Sequence, residues 1–224
     1  MKGIVVKQES KMPLLSWEEI PDIQCGPEEV LVEVKATAVN RADLLQALGL
    51  YPPPPGESEI LGLEMAGVVA AIGDAVHNRQ IGDRVLALLP GGGYAEQAAV
   101  HHQMLIDLPG SWSFAEGAAI AEVWLTAFVN LFIEGTLQPG EAVMIHAGGS
   151  GVGTAVGGAV VDIDIVIGAG GIDFGIERRL GIADRARRLV GNRGCTAWRL
   201  VLVGMIPRQV IDEPPLPCKV AFHL

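Results

Sequence analysis

A mixed α/β fold in two parts is what this sequence predicts, and three features predict it. The first hundred residues carry many short apolar runs punctuated by glycine and proline. From Ser113 the apolar spacing lengthens to that of a helix. Residues Ala142–Gly153 (AVMIHAGGSGVG) then read as a buried strand, a tight Gly-rich turn and the start of another helix.

The elements follow in order. Lys2–Val6 is a short apolar strand, and Glu29–Ala36 (EVLVEVKA) alternates apolar and polar as a half-buried strand does. Asn40–Leu48 is a short helix. Tyr51–Gly56 (YPPPPG) is an extended loop, because proline fixes φ and has no N–H to give to a ladder. Met65–Ile72 and Arg84–Leu89 are buried strands, and Gly91–Gly93 turns the chain into a further strand at Tyr94–Val100. Ser113 caps a helix, with Glu116 completing a capping box, and apolar residues continue to about Ile133. A loop over Gly135–Gly140 leads to the strand that begins at Ala142. Many short strands, a connecting helix, and then strand, Gly turn and helix give the expected boundaries: a β-rich domain over 1–112, a helix and nucleotide-type domain over 113–206, and a Pro-rich tail over 207–224.

Composition narrows the function classes. The net charge is −10, which argues against general binding to nucleic acid or to an anionic membrane. Three cysteines, Cys25, Cys195 and Cys218, show no metal spacing and cannot all pair, which points to a reducing compartment. The charged N-terminus does not read as a signal peptide, and there is no apolar run long enough for a membrane span. The expectation is a soluble cytoplasmic protein. Charge is uneven: residues 1–155 carry seven basic and nineteen acidic side chains, whereas 156–224 carry nine and seven.

The Gly turn after the Ala142 strand brings backbone N–H groups into the open at a helix start, the arrangement that receives a pyrophosphate. Its glycines at 149, 151 and 153 alternate, unlike the plain G-x-G-x-x-G fingerprint, so an ordinary strand–helix turn is the competing reading. Six blocks add to it: Asn40-Arg-Ala-Asp43, Tyr51 with its prolines, Gly62-Leu-Glu-Met-Ala-Gly-Val68, Gly82-Asp-Arg-Val85, Trp124-Leu-Thr-Ala-Phe128 and His146-Ala-Gly-Gly-Ser-Gly-Val-Gly153. In order and spacing they resemble the medium-chain dehydrogenase/reductase superfamily, and within it the zinc-free, zeta-crystallin-like NAD(P)H quinone oxidoreductases. The resemblance implies a GroES-like β-rich domain followed by a Rossmann-type domain, with NAD(P)H in the cleft between them and hydride transfer to a quinone or enone acceptor. NADPH is the cofactor the subfamily implies, with NADH open. A homodimer joined at the edge of the nucleotide domain is also implied.

The same resemblance assigns the site. Asn40 and Thr126 would lie near the nicotinamide, and Gly149, Ser150, Gly151, Val152 and Gly153 would meet the pyrophosphate. Tyr51 would shape the acceptor pocket or donate to the acceptor oxygen. Each has a plainer alternative: Asn40 as a helix cap, Tyr51 packed on its prolines, Trp124 in the core, Glu64 bonded to backbone or to Arg84. The superfamily's zinc alcohol dehydrogenases place a Cys where this chain has Asn40 and a His where it has Leu63. Neither Asn nor Leu supplies a thiolate or imidazole, so no metal is expected. His101 and His102, side by side, read as solvated loop residues.

After Thr154 the resemblance breaks. Gly157 and Gly158 are poor helix-interior residues, and no acidic side chain follows a convincing second strand at the distance a ribose requires. Asp162–Gly171 and Trp198–Met205 still read as core strands, with a basic helix, Gly181–Val190, between them. The expected nucleotide domain is therefore shortened and incomplete. Three functions remain open: the quinone oxidoreductase, a catalytically inactive form acting as a binding module, and an enoyl reductase of the same superfamily.

Overall fold

A computed structural model describes residues 1–8, 12–138, 142–146, 148–159, 164–168, 198–203 and 218–223. The chain divides into two units, Met1–Glu122 and Val123–Leu224.

The first unit is built on an antiparallel five-stranded sheet. Its strands are β3 (Glu29–Thr37), β4 (Glu64–Ile72), β5 (Arg84–Leu88), β6 (Gln97–His101) and β7 (Ile106–Asp107), in the order β6-β3-β4-β5-β7. Earlier in the chain, β1 (Lys2–Lys7) and β2 (Leu14–Glu19) form a separate antiparallel pair. Alternation in β3 works as its sequence predicts: Val30 and Val32 are fully buried and Glu33 and Lys35 face out. They join Met65, Val69, Val85 and Ala98 in one apolar cluster. A second cluster, Ala66, Leu86, Leu108, Ala118 and Ala121, lies under α2 (Phe114–Ala118) and the first residue of α3 (Ala121–Phe128). The short helix α1 (Arg41–Ala47) follows β3 directly, with Asn40 at its N-cap.

The apolar stretch after Ser113 is not one helix. It breaks at Ala119–Ile120 into α2 and α3, and α3 runs on into a π-helical turn at Val129–Glu134. Ser113 caps α2 as expected, its Oγ accepting from the Glu116 N–H at 3.2 Å.

In the second unit, β8 (Ala142–His146), β9 (Asp164–Gly168), β10 (Trp198–Val203) and β11 (Cys218–His223) form a parallel sheet in the order β11-β10-β8-β9. Val143 and Ile145 of β8 pack with Ala127, Leu131, Leu137, Ala155 and Val156. Helix α4 (Gly151–Ala159) continues through Gly157 and Gly158, where the sequence predicts a poor helix interior. Burial of Ala155 and Val156 against β8 outweighs the glycine cost, which is about 1 kcal/mol per residue against alanine. The segment 207–224, read as a Pro-rich tail, contributes β11 to the sheet beside β10. The basic helix expected at 181–190 lies outside the described residues. Among the described residues, no helix is long and apolar enough to cross a membrane.

Candidate functional site

In the first unit, two of the sequence blocks, Asn40–Asp43 and Gly62–Val68, meet at one buried polar network. The Asn40 backbone N–H donates to Asp43 Oδ2 at 2.7 Å, and the pair forms a capping box at the head of α1. Asp43, 2% exposed, also accepts from the Tyr94 hydroxyl at 2.9 Å and from the Gly62 N–H at 3.3 Å. Gly62 is at φ +106, and a Cβ there would stand 2.6 Å from the Tyr94 nitrogen. Glycine is therefore required to bring this loop against Tyr94.

Glu64, at the start of β4, is the second anchor. It is 1% exposed, and both of its oxygens are occupied. Oε1 accepts from Asn40 Nδ2 at 2.8 Å, and Oε2 accepts from the Glu122 N–H at 2.9 Å. The expected alternative of a bond to Arg84 is not what forms; that guanidinium donates to the carbonyls of Gly110 and Trp112. Burial pushes the Glu64 carboxyl up, and the N–H groups of Glu122 and Asn40 oppose it. Burial likewise raises the Tyr94 phenol, helped by its bond to Asp43. Glu122 is raised by burial and then by the charge of Glu64. Asp43 and Tyr94 are partners that sequence reasoning misses; the N-R-A-D spacing is the available signal for Asp43, and nothing local marks Tyr94.

Tyr51 stands on the loop before Pro52–Pro55 and is 48% exposed. Val39, Leu44, Leu48 and Leu50, in the flanking sequence, are exposed as well. Leu63 is buried. His101 accepts from the Gln103 N–H through Nδ1, and His102 pairs with Asn78 at 2.9 Å. Among the described residues, no group of three or more His, Cys, Asp and Glu side chains is placed to hold a metal.

In the second unit, β9 lies on one side of β8 and β10 on the other, so the strand order reverses at β8. Open parallel sheets bind ligands outside the carboxyl ends of their strands at such a reversal. The carboxyl end of β8 is where the turn through Gly149 and Ser150 leads into α4. Ser150 caps that helix: its Oγ accepts from the Gly153 N–H at 3.1 Å and its carbonyl from Thr154. The first-turn N–H groups of a helix have no intrahelical acceptor and favour an anion. A Cβ at Gly149 would meet nothing within 4 Å, whereas one at Gly151 would stand 2.9 Å from Val123 Cγ1. The open side at Gly149 suits close approach of a phosphate; Gly151 serves packing. Thr126, part-buried on α3, lends its carbonyl to Asn130 Nδ2 at 2.8 Å. Trp124, expected in the core, is 37% exposed.

Residues 26–110 match the alcohol dehydrogenase GroES-like domain family. A quinone oxidoreductase from Pseudomonas syringae superposes with a TM-score of 0.68 at 26% identity, over 88% of this chain and 65% of that one. The chain belongs to the medium-chain dehydrogenase/reductase superfamily. The CurK enoyl reductase is also similar, with a TM-score of 0.73 and 26% identity over 91% of this chain and 74% of that one. A phenolphthiocerol synthesis polyketide synthase from Mycobacterium marinum is 42% identical over 140 residues, 62% of this chain and 6% of that protein. The chain spans well under two thirds of the curated relatives it matches. As a superfamily member it joins a GroES-like β-rich domain to a shortened Rossmann-type unit.

Proposed function

We propose that this chain is an NAD(P)H-dependent, zinc-independent oxidoreductase that passes hydride to a quinone or enone acceptor. The observation that carries the reading is the reversal of strand order at β8, with the Gly149–Ser150 turn and the head of α4 at its carboxyl end. Backbone N–H groups at Gly151 and Val152 and the open face of Gly149 fit a pyrophosphate. When bound, the nicotinamide supplies the hydride, so the protein's part is orientation, electrostatics and exclusion of water. Within the first unit, Asn40 is assigned to the nicotinamide and the half-exposed Tyr51 to the acceptor; within the second, Thr126 is assigned to the nicotinamide. Zinc independence rests on Asn40 and Leu63, which offer neither thiolate nor imidazole.

The second reading, an enoyl reductase, is supported by the likeness to the CurK enzyme. One experiment tests both. NADPH and NADH are titrated into the purified chain by nucleotide fluorescence, and oxidation is then followed with quinones and with α,β-unsaturated thioesters. Micromolar binding with quinone turnover is expected. Turnover of thioesters alone selects the enoyl reductase, and a folded chain that binds neither nucleotide overturns the oxidoreductase reading.

A further inference from the structure

Asn40 is held by two hydrogen bonds, and its side chain stands in a capping-box arrangement. Its backbone N–H goes to Asp43 Oδ2, its side-chain oxygen faces the Asp43 N–H in the capping box, and its Nδ2 donates to Glu64 Oε1 at 2.8 Å. Glu64 cannot turn to suit another arrangement, because its Oε2 is taken by the Glu122 N–H at 2.9 Å and the side chain is buried. A primary amide has one oxygen and two N–H groups. With the oxygen turned to the helix and one N–H given to Glu64, a single N–H is left.

We propose that Glu64 is a positioning residue that fixes the polarity of the Asn40 amide, so that the remaining N–H is what Asn40 offers to a carbonyl oxygen of the bound acceptor or cofactor. An ionised carboxylate suits the task because it accepts from both N–H partners and can donate to neither. The bond to a charged acceptor also polarises the amide, which makes its other N–H a better donor. The functional half of this proposal rests on the reductase reading; the pairing itself does not.

Two variants separate positioning from a merely structural role. In Glu64→Gln the new side chain keeps the Glu122 N–H only by turning its own NH2 toward Asn40. Two donors then meet, and flipping Asn40 only moves the conflict to the Asp43 N–H. In the double variant Asn40→Asp with Glu64→Gln, the carboxylate at 40 accepts from the Gln NH2 and caps α1, since Asp is a strong N-cap. That pair restores the hydrogen bonds and removes the offered N–H.

The full-length chain is assayed for thermal midpoint, for the side-chain amide resonances of 15N-labelled Asn40, and for NADPH oxidation with a quinone. E64Q is expected to lower the midpoint, move the Asn40 amide resonances and reduce kcat about tenfold, the worth of one hydrogen bond at ~1.4 kcal/mol. The double variant is expected to regain the wild-type midpoint while kcat stays reduced by at least that factor. Unchanged resonances and rates in E64Q overturn the proposal, as does a wild-type kcat in the double variant. A double variant no more stable than E64Q overturns the pairing. A wild-type chain without turnover overturns the reductase reading and the offered N–H with it, while the resonances and midpoints still report the Glu64–Asn40 bond.

Discussion

Gly149 and Gly151 stand two positions apart in one turn, and a methyl group meets different surroundings at each. At Gly149 it finds open space; at Gly151 it meets Val123 Cγ1 at 2.9 Å. Neither glycine has a φ in the left-handed region, so steric access rather than backbone freedom explains both. The substitutions therefore part company. Gly149→Phe is expected to leave the thermal midpoint within a degree or two, as surface changes do, and to weaken NADPH binding at least tenfold by filling the phosphate approach. Gly151→Ala is expected to lower the midpoint, because the overpacked Val123 costs about 1 kcal/mol or more, with a smaller effect on affinity. Calorimetric titration and melting of the two variants check this. Equal affinity in Gly149→Phe and the wild type would falsify the assignment of the turn to the pyrophosphate.

Helix boundaries in this chain are set by both local and distant caps. Ser113 and Glu116 announce α2 in the sequence, and the capping box forms as read. The restart at Ala121 has no such local sign. The carboxylate of Glu64, from strand β4, accepts the Glu122 N–H and serves as a cap supplied from far along the chain. The apolar residues from Ala118 to Ile133 therefore read as one helix, since periodicity carries no trace of a cap on another strand. The Ser113 box also has a pH signature. The Ser113 N–H and hydroxyl hold the Glu116 carboxyl below its ordinary 4.5, so the stability it contributes is present above that value and lost as pH falls through the lower folded one. Ser113→Ala removes the hydroxyl's share. The midpoint difference between wild type and Ser113→Ala is expected to be largest near neutral pH and to narrow in acid, leaving the pH-independent bond from Ser113 Oγ to the Glu116 N–H. A difference that widens in acid would contradict the box.

The two units were legible to different degrees, for a physical reason. In the antiparallel sheet β3 advertises itself by alternation, β4 and β5 read as short apolar runs bounded by turn residues, and all three fall within a residue or two of their sequence limits. Strands of a parallel sheet, buried on both faces, read only as apolar runs. Asp162–Gly171 and Trp198–Met205 were visible as strands, but their places on opposite sides of β8 were not, because no local pattern records a parallel partner. The candidate site divides the same way: Asn40 and the Gly turn are sequence-local, whereas the Asp43–Tyr94 bond joins residues far apart in the chain. This pattern bears on how the nucleotide reading is best tested across the molecule. A ligand that binds only the folded state at about 100 times its Kd adds ~2.7 kcal/mol of stability, and hydrogen exchange shows where. With NADPH the protection is expected to rise along Ala142–Ala159, where the turn and the head of α4 meet the phosphates, and to stay unchanged along β3, β4 and β5, whose N–H groups already sit in the ladder. Protection that rises along the antiparallel sheet but not at the turn would move the binding site off β8, and the chain would then be a member of its superfamily by fold while using another surface.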